Sequence, residues 1–325
     1  MGSFVFTRNQ IESLGQRLLE CRPNAIICYR LLRDVLRFQA GSADLETAHL
    51  QIFSHSWVKE LVDGQHPDGS WGRFHSMDTT VKAHFPTSEA AIRRALALGL
   101  DKDTPVMKRA VEFMEQILTG KAAWSDRVEK SEGWPICMET ITAGTLAQVD
   151  PSNPALHDPW DYWVEIAGRC FPEGRYDPDA EWKAHKDLRG IGVCYLGSRY
   201  ALTLLGARSA NLPIAIDRCI MEWTWDSSRG IGYLGTDLKN PQPFHIFQWL
   251  ESLEILSSFH CCHMEMENAL NWLWTQRNAD GMWDFSSKVS KSFYFPLSDD
   301  WHKPGNRSLD HSTRVLALSR IIFDK

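Results

Sequence analysis

No run of about eighteen apolar residues occurs in this 325-residue chain, so no segment is expected to cross a membrane as a helix. No segment concentrates Lys and Arg, and the formal net charge is −6. Nucleic acid is therefore not an expected partner, because phosphate binding needs a basic surface. The eight Cys form no C-x-x-C pair, and Cys261 and Cys262 are adjacent, a poor geometry for an intramolecular disulfide. Reduced thiols in a cytoplasmic protein are the expectation. The opening residues MGSFVFTRNQ lack the basic and apolar regions of a signal peptide, and Phe6 stands where a myristoylation signal needs Ser or Thr. Hydrolase and nucleotide motifs of the G-x-S-x-G, H-E-x-x-H and Walker kinds are missing. Gly230-Ile-Gly232-Tyr-Leu-Gly235 matches G-x-G-x-x-G by letter, but no strand precedes it, so a dinucleotide site is not expected.

What the chain does have is helical periodicity. Hydrophobic residues make up 43% of it, enough for a packed core, and 14 Trp are available for packing or for a pocket wall. Thr87–Gly99 opens with capping residues, spaces Ala, Ile and Leu along one helical face, and closes on Gly. A second helix, Pro105–Leu118, follows at once. The pairing recurs as Asn24–Phe38 with Leu45–Asp63, Gly192–Gly206 with Pro213–Trp225, and Phe244–Phe259 with Glu265–Gln276. Met138–Val149 with Trp160–Cys170 forms a weaker pair, and Leu309–Phe323 is expected to pair with Thr7–Glu20. The pattern predicts an all-α single domain over 1–325, about six helical hairpins, with an irregular insertion at about 150–190. Short turns alternate with long links such as Gln65–Pro86 and Gln276–Ser308, which are expected on one rim.

Two long links begin with nearly the same phrase, Gln65-His-Pro-Asp-Gly69-Ser-Trp71 and Gln276-Arg-Asn-Ala-Asp-Gly281-Met-Trp283. Degenerate copies are Glu132-Gly133-Trp134 and Gly230-Ile-Gly232-Tyr233. Asp-Gly makes the turn, Gln ends one helix and Trp packs toward the next unit. The phrase resembles the Gln–Trp motif of squalene–hopene and oxidosqualene cyclases, shared in looser form by protein prenyltransferase β subunits. That resemblance implies an α6/α6 toroid around a central apolar cavity, and a terpenoid or polyene substrate.

The family's chemical signatures are incomplete. The nearest match to a D-x-D-D acid run is Asp177-Pro-Asp179-Ala-Glu181, read as a solvated loop that starts no periodic helix. Asp299-Asp300-Trp301-His302-Lys303 lacks the last acid of a D-D-x-x-D magnesium run. His311 and Cys194 resemble two zinc ligands of the prenyltransferases, but Gly192 stands where the Asp ligand belongs. Asp310 and Asp187 are the substitutes at hand, and two ligands of three leave zinc under-coordinated. No metal or other cofactor is expected.

Polar residues early in otherwise apolar helices are the candidates for chemistry at the mouth of such a cavity. Glu89, Glu139, His245, Asp310 and His311 are the catalytic candidates, the acids as proton donors if desolvation raises them and the His as proton shuttles. His84, Trp134, Tyr195, Arg199, Phe244, Gln248 and Trp249 are the substrate-binding candidates, the aromatics able to hold a polyene or a developing cation. Thr140, Arg189, Glu251 and Arg314 extend the set. The expected function is a metal-independent cyclase or isomerase of terpenoid secondary metabolism, closing a ring with acid assistance or by a pericyclic, Diels–Alder-like step. The alternatives are a non-catalytic toroid binding a hydrophobic ligand or a partner, and a glycan-active α/α-barrel enzyme.

Overall fold

The computed structural model describes residues 4–77, 85–226, 234–289 and 294–324, the side chains of His263 and Met264 excepted. Among these residues every regular element is helical. The α-helices are α1 (Arg8–Glu20), α2 (Ala25–Arg30), α3 (Ala43–Ile52), α4 (Ser56–Gly64), α5 (Ser88–Leu98), α6 (Pro105–Leu118) and α7 (Trp134–Val149). They continue as α8 (His157–Arg169), α9 (Pro178–Arg189), α10 (Arg199–Gly206), α11 (Ile214–Trp225), α12 (Ile246–Ser257), α13 (His263–Thr275) and α14 (Pro304–Phe323). A π turn, Leu31–Val35, continues α2. No described helix is long and apolar enough to cross a membrane.

Local chemistry sets the ends. Thr7 and Gln10 form a capping box on α1, each side chain satisfying the other's backbone N–H. The Thr87 hydroxyl caps α5 by accepting from the Ala90 N–H, and Gly99 ends that helix in the left-handed region. Pro105 opens α6, where its missing N–H costs nothing. The predicted Leu45–Asp63 helix is broken: α3 stops at Ile52, and His55 starts α4 by accepting from the Trp57 N–H.

The stretch at 150–190 is not irregular. It folds into α8 and α9, and Asp177 starts α9 by accepting from the backbone N–H groups of Asp179 and Ala180. Nor is the Asp177-Pro-Asp179-Ala-Glu181 run a solvated loop throughout. Glu181 is fully buried and accepts from the backbone N–H of Tyr195 and Leu196, each at 2.6 Å, fixing the entry to α10. A polar helix led sequence reasoning astray here, because α9 buries only its narrow Glu181–Ala184–His185 face.

Neighbouring helices form a circuit. Arg30 donates to the Ala97 carbonyl at 2.8 Å and Arg33 to that of Gly99 at 2.7 Å, joining α2 and its π turn to the end of α5. From there α5 meets α7, α7 packs on α10, α10 on α12, α12 on α14, and α14 returns to α2. The closest approach is at Gly144 in α7, where a Cβ would lie 2.6 Å from the Tyr200 carbonyl oxygen. Other helices pack against these, with α4 against α5, α6 against α7, α8 against α10, and both α1 and α13 against α14. The two chain ends meet as expected: Arg8 bonds Asp324, Arg320 bonds Glu12, and Phe6 stacks on Trp274 at 4.2 Å.

The repeated phrases do the tying foreseen for them. Gln65 caps the end of α4 and donates to the Val106 carbonyl of α6 at 2.8 Å. Gly69 sits at φ +90°, and a Cβ there would lie 2.2 Å from the Arg109 carbonyl oxygen. In the second copy Gln276 caps α13, but its amide stays at Thr275, and Arg17 of α1 reaches the link instead, donating to the Asp280 carbonyl at 2.9 Å.

Candidate functional site

A hollow of about 630 Å³ lies among the circuit helices, and α2, α5, α7, α10, α12 and α14 all contribute to its wall. On α12 the lining residues are Phe247, Leu250, Glu251, Glu254, Ile255 and Ser257, of which the first five share one face at three- and four-residue spacing. Much of the lining lies toward the C-terminal ends of these helices, at Ala97, Gln148, Ala207, Ser257 and Ile321, the side of the short turns. The expected mouth was on the opposite rim. Nor is the wall apolar throughout, since Arg30, Arg93, Arg314, Glu251 and Glu254 interrupt it.

These charges are ordered. Arg93 donates to Glu251 at 3.0 and 3.2 Å, and Arg199 reaches the same carboxylate from α10. Burial alone would raise the Glu251 carboxyl, but Arg199 and Arg93 outweigh it and hold it low. Arg314 donates to Asp310 at 2.7 Å and to the Phe295 carbonyl. Arg30 and Arg33 share Asp34.

Glu254 differs from all of them. Its carboxylate makes no hydrogen bond or ion pair among the described residues, and its side chain is open to the hollow. It is exposed to solvent within the hollow. Desolvation by the packed wall pushes it up, to about 7 at most; Arg30 and Arg314 oppose the rise, Glu251 adds to it, and the exposure to solvent lessens it.

Most sequence-derived candidates lie elsewhere. Glu89 is buried at the start of α5, accepting from the Tyr200 hydroxyl at 2.6 Å and bonded to His75 Nδ1 at 2.7 Å. Burial would raise it, yet these two bonds hold it below the usual carboxylate range, the opposite of what a resting proton donor needs. His75, by contrast, is raised by its bond to Glu89. Glu139 pairs with Arg189 between α7 and α9. Asp310 is fully buried, accepting from the Tyr294 hydroxyl, the Leu297 N–H and Arg314.

His311 is sealed among Phe247, Phe285 and Tyr294, and its Nδ1 accepts from the Phe285 N–H at 3.1 Å. Burial lowers it to about 4, so it stays neutral and cannot shuttle protons near neutral pH. His245 lies in the turn before α12 with Nδ1 buried and unbonded, beside the exposed Phe244.

Among the binding candidates, Arg199 and Gln248 border a small pocket beside Glu251, and Gln248 donates to the Leu234 carbonyl at 2.5 Å. Trp249 faces away from the hollow, donating to the Leu238 carbonyl at 3.0 Å and meeting Trp272 edge-on. Trp134 is buried at the start of α7, and Tyr195 lies half-buried before α10, its phenol raised by burial. Thr140 accepts from the Trp163 indole. His84 and the Gly230–Tyr233 phrase fall outside the described residues.

Of the ligands considered for zinc, Cys194 is pushed up to about 11 by burial and donates to the Pro178 carbonyl. Asp187 is an exposed partner of Lys183. No three His, Cys, Asp or Glu side chains converge to hold a metal among the described residues. No protein-family model, curated protein or solved structure matches this chain.

Proposed function

We propose that the chain is an α/α toroid whose inner ring is α2 with its π turn, α5, α7, α10, α12 and α14. We further infer a cyclase or isomerase that folds a terpenoid or other polyene substrate in the hollow. The observation that carries this reading is Glu254, an unpaired carboxyl held in a chamber walled by six helices, with Leu96, Phe247, Leu250 and Phe295 beside it. A carboxylic acid near pKa 7 is too weak to protonate an isolated alkene. It suits hydrogen bonding or proton donation to a carbonyl oxygen conjugated with the polyene, which draws electrons from the chain and eases ring closure or double-bond migration. The apolar wall supplies the rest by holding the reacting carbons in contact. Glu89, held by Tyr200 and His75, serves structure in this account.

The reading is tested by incubating the purified protein with conjugated polyene ketones, aldehydes and acids and following products against the uncatalysed background. Turnover should disappear in Glu254→Gln with substrate binding retained. Thr203→Trp, which fills the hollow from α10, should abolish binding in a protein of unchanged helicity. Binding without turnover would instead mark a carrier of hydrophobic ligands, and an unaffected rate in either variant would move the chemistry out of the hollow.

A further inference from the structure

The hollow contains two unused cationic donors. Arg30 directs Nε to Asp34 and Nη1 to the carbonyls of Leu96 and Ala97, leaving Nη2 without a hydrogen-bond partner among the described residues. Arg314 directs Nε to Asp310 and Nη2 to the Phe295 carbonyl, leaving Nη1 likewise. Neither nitrogen is sealed from solvent, both residues line the hollow, and α2 and α14 are neighbours. An open guanidinium N–H facing the hollow is a donor that an anionic group can take.

The geometry points to a seat for a single anionic group, a carboxylate of the substrate, bridging Arg30 Nη2 and Arg314 Nη1 beside Glu254. This rests on the reading of the hollow as the substrate chamber and adds the class of substrate: a hydrophobic chain ending in a carboxylic acid. Two guanidiniums share each of two carboxylates, Arg30 and Arg33 on Asp34 and Arg93 and Arg199 on Glu251, whereas Arg314 is matched by Asp310. Two positive charges are left over, and α7 presents only the uncharged Gln148. An ionised Glu254 answers one of them, which leaves room for a monoanion. Two carboxylates side by side repel, so a ligand carboxylate seated beside Glu254 favours its protonated form. When the ligand's carboxylate arrives, Glu254 takes up a proton from solvent, no bond to carbon changes, and the two oxygens of the ligand accept from the two guanidiniums. The bound acid then lies against a protonated Glu254, the form that the proposed chemistry needs.

Calorimetric titration with farnesoic acid, farnesol and farnesyl monophosphate tests the seat independently of turnover. Farnesoic acid should bind at least about tenfold more tightly than farnesol, as a charge-assisted pair of hydrogen bonds predicts. Near pH 8, titrations in buffers of different ionisation enthalpy should show uptake of about one proton per ligand, lost in Glu254→Gln while affinity persists. Arg30→Met should bring the acid and the alcohol within about twofold of each other. Arg30 also ties α2 to α5, so the wild-type titrations decide the matter if that variant does not fold. Equal affinity for acid and alcohol, tighter binding of the phosphate, binding without proton uptake, or no binding of any probe overturns the seat. Tight, proton-linked binding of the acid with no turnover of any polyene leaves the seat standing and removes only the proposed chemistry.

Discussion

Trp71 and Trp283 make the same pair of hydrogen bonds at opposite ends of the chain. Each indole donates to a carbonyl ten residues earlier, Trp71 to Leu61 at 2.9 Å and Trp283 to Leu273 at 2.7 Å. Each backbone N–H is accepted by a serine hydroxyl of the helix that follows, Ser88 and Ser312. The repeated phrase is therefore a repeated joint, holding the end of one helix against the helix after the link. Trp283→Phe removes one indole bond and should cost about 1 kcal/mol. Trp283→Ala, which also empties a buried site, should cost about 3–5 kcal/mol. Urea unfolding midpoints measure both, and equal losses would mean that the hydrogen bond, not the buried ring, carries the whole effect.

Gly144 permits the close contact of α7 with α10. A methyl group there meets the Tyr200 backbone at 2.6–2.7 Å, which only helix displacement can relieve. Gly144→Ala should therefore destabilise by about 1–3 kcal/mol despite alanine's better helix propensity. A stabilised variant in thermal melts would contradict this packing.

His311 should make stability fall with acid. Its folded value is about 4 against an ordinary 6.5, so the unfolded chain binds a proton that the folded chain refuses. The contribution is complete above 6.5 and is lost as pH falls through that window toward 4, on the order of 2 kcal/mol by pH 5. His311→Asn, which keeps an acceptor for the Phe285 N–H, should lessen the loss between pH 7 and pH 5. An unchanged slope in urea titrations would show that the ring already gains its proton in the folded state.

Glu89 should control His75. The imidazole is raised by its bond to the buried carboxylate, so Glu89→Gln should lower its titration toward the ordinary 6.5. The shift is readable from its ring protons by NMR. A titration that does not move would mean that Asp126 and Glu129, the weaker nearby charges, hold it up.

Helices with clear punctuation were legible in the sequence. Thr87, Gly99 and Pro105 mark ends that the structure keeps to within a residue, because capping is a local interaction. The meeting of α1 with α14 was also foreseen. The acid in the hollow was not. Polar residues near helix starts are the ones that sequence patterns single out, and Glu254 lies in the second half of α12. The available signal was Glu251 and Glu254, three apart in an otherwise apolar helix, which places both on one face with Phe247 and Leu250. Sequence could not separate them further, because Glu251 is neutralised by Arg93 and Arg199 from two other helices. Glu89, Asp310 and His311 were found, but their partners Tyr200, Tyr294 and the Phe285 backbone come from distant segments. Those partners, invisible to local sequence patterns, decide how each group is held.

The most direct test is the dependence of polyene turnover on pH. In the proposed chemistry Glu254 acts protonated, and desolvation raises it toward neutrality, so the rate should be level in mild acid and fall about tenfold per unit well above neutrality. A rate that climbs through neutrality, or one that Glu254→Gln leaves intact, would show that the carboxyl facing the hollow is not the acid.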